Sequence, residues 1–469
     1  MPPPNILWIY CDELRDDALG CYGNRHFAPR TPHLDSLAAG GMRFTRSYCP
    51  SPVCAASRMA VLTALPPEAT ATYHNECAWG KFTLDPVPKT FTEVFAEHGY
   101  ATANFGKIHY PKQLKPWQHC DTTGGDMASI KKLMAAHDPD AIIDIPGVGS
   151  TIGGRFPPDT AYPAARVADN TIQFLRAHRG RPFLARASIL QPHTPVGAPP
   201  PYETMYAGEA FPRTLDTADR TPSAFIRILA EAQAAHRLTP EQIFLTQQYY
   251  YGLVSWIDAE VGRMLACLDE NGLRDNTLVV FTADHGAQLG EAGLYAKLTF
   301  EPASHRVPLI LAGPGVERGT VRDDLASGID LARTLLGAAN LPALESFGGR
   351  NLLGDPEPEA VYATIGYGMP GSRAFSNLGA GAYEGGRGWP RRTCVRTRQY
   401  RLDANVRMDG EGVGEADRDY FLADTLADPD ERHNLAGRPE HAGALKKLAA
   451  LLDRHVAGAK EVPLEVLTK

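Results

Sequence analysis

The chain has no run approaching the ~18 consecutive apolar residues of a membrane span, so no membrane residence is expected. It has no block of lysine or arginine, and 54 acidic against 47 basic residues give a net charge of −7. That balance argues against a nucleic-acid partner. An anionic ligand must then be drawn by local cations, not by the field of the whole molecule. No Cys-x-x-Cys pair occurs among the eight cysteines, which are scattered from Cys11 to Cys394. This spacing points to reduced thiols and away from a structural zinc site. The opening Met-Pro-Pro-Pro-Asn carries no basic segment, long apolar stretch or small-residue cleavage site. No secretory leader is read there, and a cytoplasmic location is the expectation. Internal repeats and low-complexity tracts are also missing. What is present is an ordinary globular composition, 43% hydrophobic and 22% charged. Its 469 residues suffice for one large α/β domain with an appendage.

Apolar β-type runs alternate with helix-type segments through the first two thirds. Strands are predicted at 5–10, 100–105, 182–190, 277–282 and 307–312. Helices are predicted over 31–38, 57–65, 90–98, 161–178, 239–270 and 325–336. The alternation implies an α/β fold with a large, mostly parallel or mixed sheet flanked by helices. Residues 112–156 and 196–222, rich in Gly and Pro, read as irregular insertions of the kind that shape a binding site. Near 349–358 the character changes. Short β-type pieces (360–367, 393–402) and an amphipathic helix (440–455) follow. The division is placed at 1–355 for the main domain and 356–469 for a smaller C-terminal α+β subdomain with short antiparallel strands and a terminal helix.

Four polar clusters each follow a predicted strand: Asp12-Glu13, Lys107 with His109, Gln191-Pro192-His193, and Asp284-His285-Gly286. Ligands of open α/β sheets bind beyond the carboxyl ends of the strands. Parallel strands would bring these clusters to one edge. They would supply carboxylates and a histidine for a metal, and lysine and histidines for an anion and for proton transfer. A fifth cluster is Cys54-Ala55-Ala56-Ser57-Arg58. Ser51-Pro52 suggests a turn before it, and the residues from Ser57 suggest a helix. Cys54 is therefore placed at or near a helix N-terminus, where free amides and the dipole favour an oxyanion. Arg58, about one turn on, adds a permanent cation. Asn75 is read as a loop residue, with a place in the pocket as the alternative.

Taken together, these stretches resemble the sulfatase family of the alkaline-phosphatase superfamily. The signature Cys or Ser, any residue, Pro or Ala, any residue, Arg is met by Cys54 to Arg58, with the less common Ala56 at the third place. Gly106-Lys107-Ile108-His109 resembles the family's Gly-Lys-Trp-His, and Gln191-Pro192-His193-Thr194-Pro195 its Pro-His-x-Pro. The opening strand with Asp12, the run from Asp284 to Lys297, Arg306-Val307-Pro308 and the late Ala427 to Leu435 follow in the family's order. The resemblance places catalysis in residues 1–355. It implies a small anionic ester substrate and oxidation of Cys54 to formylglycine by a formylglycine-generating enzyme. The formylglycine hydrate would present two hydroxyls. One attacks sulfur, and the other lets sulfate leave and the aldehyde return. It further implies one divalent cation held by Asp12, the modified Cys54, Asp284 and His285, with Glu13 either a further ligand or a residue behind the ligands that does not reach the cation. Arg58, Lys107 and Lys297 would neutralise the sulfonyl oxygens. His193 and Lys297 would serve the leaving oxygen, and His109 would take the proton of the second hydroxyl.

Two departures bear on this. Glu13 stands where the family often has a second Asp, and its extra methylene changes its reach toward the cation. His285 replaces the Asn of many members. Calcium is the first choice of cation, with manganese and zinc the alternatives that a histidine ligand admits. A histidine there also occurs in similar formylglycine enzymes that cleave phosphonate monoesters and phosphodiesters. Two alternatives therefore stand beside the sulfatase reading: phosphoryl transfer with the same nucleophile, and anion binding without turnover. The sequence leaves the oligomeric state open, a homo-oligomer included.

Overall fold

Residues 2–78, 82–148, 150–158, 162–211, 219–372 and 383–462 are described by the computed structural model. Strand Asn5–Cys11 lies inside an eight-stranded sheet, buried along its whole length. Its side chains alternate between two cores. Leu7, Ile9 and Cys11 enter one, and Ile6, Trp8 and Tyr10 enter the other. A strand apolar on both faces needs cover on both sides, and helices supply it. Helix Pro240–Glu270 closes the first face with Leu253, Ile257, Val261 and Met264. Helix Cys54–Thr63 closes the second with Ala55, Met59 and Leu62. Each fully buried aliphatic side chain contributes about 1.5–3 kcal/mol.

The sheet order is Thr320–Ser327, Met42–Tyr48, Leu309–Ala312, Thr277–Ala283, Asn5–Cys11, Phe183–Ile189, Ala101–Gly106 and His119–Asp121. The four strands from Thr277–Ala283 to Ala101–Gly106 are mutually parallel, whereas Leu309–Ala312 runs antiparallel to both neighbours. The sheet is thus mixed, in keeping with the fold class read from the sequence. Register aligns the strand ends: Cys11 pairs with Ala283 and Ile189, and Gly106 pairs with Ser188.

The structure departs from the expected elements in several places, of which three bear on the sheet and the site. Residues 112–156 are not wholly irregular, because they hold strand His119–Asp121, helix Met127–His137 and the hairpin Ile143–Ile145 with Ser150–Gly153. Asp126 caps that helix by accepting from the Ala128 amide, a local bond that composition alone does not reveal. The predicted helix over 325–336 begins at Asp330; the chain before it is an edge strand, whose Arg322, Asp323 and Asp324 disguise its β character. Strand Met42–Tyr48 was not read at all, since Arg43, Thr45 and Arg46 interrupt its apolar pattern. Part of 196–222 lies outside the described residues.

Residues beyond 360 build a separate antiparallel sheet, in which Arg391–Arg396 lies between Val361–Ile365 and Tyr400–Met408. Helix Ala442–Val456 covers it through Leu448, Leu451 and Leu452. Buried arginines tie this sheet to the main one. Arg396 donates to Glu431 (2.5 Å), the Phe300 carbonyl (2.6 Å) and His305 Nδ1 (3.0 Å), while Arg401 reaches Glu431 at 2.7 Å. The late stretch from Ala427 to Leu435 therefore anchors the segment that follows Lys297. Burial would push the Glu431 carboxyl up, but Arg396 and Arg401 outweigh it and hold it below the ordinary range. A depressed carboxylate stabilises the fold above its unfolded pKa, and that share is lost as pH falls through the folded one. Glu431→Ala is expected to cost about 3–5 kcal/mol in urea unfolding at neutral pH, because two buried guanidiniums lose a counter-charge. A loss below about 1 kcal/mol would show that the network is not what holds the two sheets together.

Candidate active site

Each of the four strand-end clusters emerges from the parallel part of the sheet. The Asp12, Asp284 and Lys107 amides donate to the carbonyls of Ile189, Cys11 and Ser188, at 3.1, 3.0 and 2.9 Å. The ladder therefore fixes the first residue beyond each strand. Gly106 (φ +93) allows a close approach, since a Cβ there would stand 2.2 Å from the Ser188 carbonyl oxygen. Gly286 is similarly tight against the Ala303 carbonyl, which settles the turn carrying His285.

Cys54 is the first residue of its helix. Val53 at the cap position offers no side-chain acceptor, and Asn75 Oδ1 takes the Ala55 amide instead at 3.0 Å. Positions four apart share a helix face, so Arg58 lies beside Cys54. Arg58 is wholly buried and bridges the strand ends. Its Nε donates to Asp284 (2.7 Å), Nη2 to Asp12 (3.0 Å) and Nη1 to Ser188 Oγ (2.8 Å), and its guanidinium lies 4.9 Å from the Tyr10 ring centre.

Ligand atoms of Asp12, Cys54, Asp284 and His285 all lie within 4.8 Å of one another, and all four residues are buried. His285 Nε2 stands 3.2 Å from Cys54 Sγ, with its orientation held by a 2.8 Å contact from Nδ1 to the Gly286 carbonyl. Burial would lower His285, but Asp284 and Cys54 outweigh it and raise it to about 9. Asp284 is pushed up by burial and by the Asp12 charge; Asp12 is held low by Lys107, His193 and Arg58 against its own burial. The two carboxyls are therefore driven in opposite directions.

Cations surround the cysteine. Lys297 Nζ donates to Cys54 Sγ (2.9 Å) and Glu13 (2.5 Å) and stands 3.1 Å from His193 Nε2. Lys107 pairs with Asp12, and His109 faces the same sulfur. Burial alone would raise the Cys54 thiol, yet Lys107, Lys297 and His285 bring it well below its ordinary value. Burial, helped by Lys107, lowers His109 to about 4, so its ring is neutral near pH 7 and able to accept a proton. Glu13 and His109 both hold left-handed backbone, φ 61° and 50°, a strained state that concentrates at functional sites. Glu13 does not join the four-ligand group. It forms a second group with Asp12 and His193 (Oε1 to Nε2, 3.2 Å), bound by Lys297. A cavity of about 790 Å³ opens over Glu13, Lys107, His109, His193 and Lys297.

The structure brings every predicted site residue into one cluster. It adds two. Ser188 accepts from Arg58 and donates to the Lys107 carbonyl at 2.6 Å; a serine ending an otherwise apolar buried strand was the available signal. Asn75, read as a loop residue, joins the site through the helix start and also lines the cavity.

Comparison with known proteins follows the same line. The sulfatase family model matches residues 4–341. The Ulvan-active sulfatase of Formosa agariphila is 29% identical over 467 residues, spanning 97% of this chain and 81% of that protein. A structure solved with its substrate D-glucosamine-2-N,6-O-disulfate superposes with a TM-score of 0.72 at 20% identity, covering 97% of this chain and 98% of that one. The phosphonate monoester hydrolase of Agrobacterium radiobacter gives 0.76 at 22% identity, covering 97% and 96%. The fold shared with these solved structures is an α/β one, a mixed sheet between helices. The chain belongs to the sulfatase family of hydrolases.

Proposed function

We propose that the chain cleaves sulfate monoesters with a formylglycine made from Cys54 and a divalent cation bound beside it. The observation that carries this reading is the convergence of Asp12, Asp284 and His285 on Cys54, with Lys107 and Lys297 flanking the same sulfur. Two carboxylates and one imidazole, which gives up its proton when a cation binds, suit a divalent cation, and calcium, manganese or zinc fit that donor set. The formylglycine hydrate would stand where Cys54 Sγ is and would supply a fourth donor oxygen. Such a cation, when bound, lowers the proton affinity of that hydroxyl and so makes it a better nucleophile. Glu13 is assigned to Lys297 rather than to the cation, since the ammonium lies between its carboxylate and Cys54.

The remaining roles belong to the chain itself. Lys107 and Lys297 face the sulfonyl oxygens, where a buried setting strengthens their pull. Arg58 acts on the same chemistry by fixing Asp12 and Asp284. One hydroxyl of the hydrate, its proton lost to solvent, would attack sulfur as the sulfur–ester oxygen bond breaks, and the departing oxygen would take a proton from His193 or Lys297. His109 then removes the proton of the second hydroxyl. The carbonyl re-forms, sulfate leaves with the first oxygen, and water restores the hydrate. Conversion of Cys54 requires a formylglycine-generating enzyme as a maturation partner.

A second reading, phosphonate monoester or phosphodiester hydrolysis by the same residues, is favoured by His285 at the cation site. Side-by-side kinetics on an aryl sulfate, phenylphosphonate and a phosphodiester decide between them. The sulfate is expected to give the highest kcat/KM. A phosphonate or diester value above it overturns the choice, and no turnover of any of the three by converted enzyme favours an anion binder. Among the described residues no helix is long and apolar enough to cross a membrane.

A further inference from the structure

The cavity wall extends well beyond the residues around Cys54, and its composition there is uneven. Ile108, Tyr110, Ile145, Ile152, Leu190 and Tyr295 are its apolar part. Lys112 and Lys131 add two more cations to the wall. They differ from the lysines beside Cys54. Lys107 is paired with Asp12 and Lys297 with Glu13. Lys112 and Lys131 have no carboxylate within ion-pair distance among the described residues. Among the described residues of the wall the one other carboxylate, Asp126, engages its oxygens locally, accepting from the Ala128 amide (2.9 Å) and Ser129 Oγ (2.6 Å). A cavity of about 790 Å³ is also far larger than one sulfuryl group needs. Both lysines come from the segment first expected to be irregular. Helix Met127–His137 carries Lys131 and so gives it a fixed place in the wall.

We infer that the substrate is at least a dianion: an ester with a second acidic group, carboxylate or sulfate, bound by Lys112 and Lys131 across an apolar body. This rests on the ester-hydrolase reading of the same site. An exposed charge pair is individually weak, but two acting on one anion give roughly tenfold in affinity. The gain shrinks as salt is raised.

The test is calorimetric binding to the full chain carrying Cys54→Ala, in manganese- or calcium-containing buffer. The probes are phenyl sulfate, 4-carboxyphenyl sulfate, 4-biphenylyl sulfate and 4′-carboxy-4-biphenylyl sulfate, so that each dianion has a partner lacking only the second charge. At least one dianion is expected to bind about tenfold tighter than its partner. Adding Lys112→Ala and Lys131→Ala together is expected to bring that ratio close to one. Equal affinities within both pairs, or a ratio that survives the double replacement, overturns the inference. Hydrolysis of the same four esters by the Cys54-containing enzyme separates the two levels. Turnover with no preference keeps the hydrolase and sinks the second-anion site. A preference in binding with no turnover of any ester keeps the site and sinks the hydrolase reading.

Discussion

Cys54→Ala is expected to leave the fold intact and reduce turnover to background, a loss on the order of 10⁶-fold, as when a nucleophile is removed elsewhere. The side chain is small and lies at a helix start whose packing comes from Ala55, Met59 and Leu62, so its removal opens little space. Cys54→Ser is the more informative replacement. Serine keeps one hydroxyl and lacks the second, so attack proceeds but the sulfated enzyme has no aldehyde to return to. The expected result is a burst of one leaving group per active site followed by arrest, read in a stopped-flow or quench experiment. Steady turnover by the alanine or serine variant removes the formylglycine mechanism. Mass spectrometry of the tryptic peptide from Ser47 to Arg58 gives independent evidence. Conversion removes sulfur and two hydrogens and adds one oxygen, and an intact thiol in fully active enzyme is incompatible with the proposal.

Arg58→Met is expected to cost about 3–5 kcal/mol of stability in the absence of divalent cations, measured by urea unfolding with a chelator present. Arg58 is wholly buried between Asp12 and Asp284, so methionine leaves two desolvated carboxylates facing each other without a cation. Part of the loss should be recovered by adding manganese or calcium, because a cation bound by the same carboxylates stabilises only the folded chain. Arg58→Lys keeps the charge but not the fork. It is expected to recover most of the stability and little of the activity, since one ammonium cannot hold Asp12, Asp284 and Ser188 in register. Wild-type stability of Arg58→Met in chelator would show that the bridge is not what keeps these carboxylates together.

Much of the site was legible because strand ends leave a mark in sequence. Runs such as Ile6 to Tyr10 and Leu278 to Phe281 are apolar throughout, and a polar residue directly after such a run has few places to go other than the sheet edge. Asp12, Lys107 and Asp284 were found this way, and the Cys54–Arg58 spacing is a helical one. Elements with charged faces were not legible. Met42–Tyr48 and Thr320–Ser327 sit near or at the sheet edge, where only part of each strand is buried and the pattern is diluted. Helix Met127–His137 lies in a stretch whose glycines and prolines suggested a loop.

By itself, the sequence determined which side chains are available and on which elements they sit: a cysteine and an arginine one helical turn apart, and carboxylates, lysines and histidines at strand ends. Local rules suffice for that, because periodicity and capping act over a few residues. Pairing between these groups was decided only by the tertiary structure. Glu13 follows Asp12 directly, yet it is matched to Lys297, a residue 284 positions away. Arg58 was expected beside the substrate oxygens, and the structure engages its donors with Asp12, Asp284 and Ser188. The physical reason is burial. In a dry site every charge must find a counter-charge, and which one it finds depends on the register of parallel strands, which no local stretch of sequence encodes.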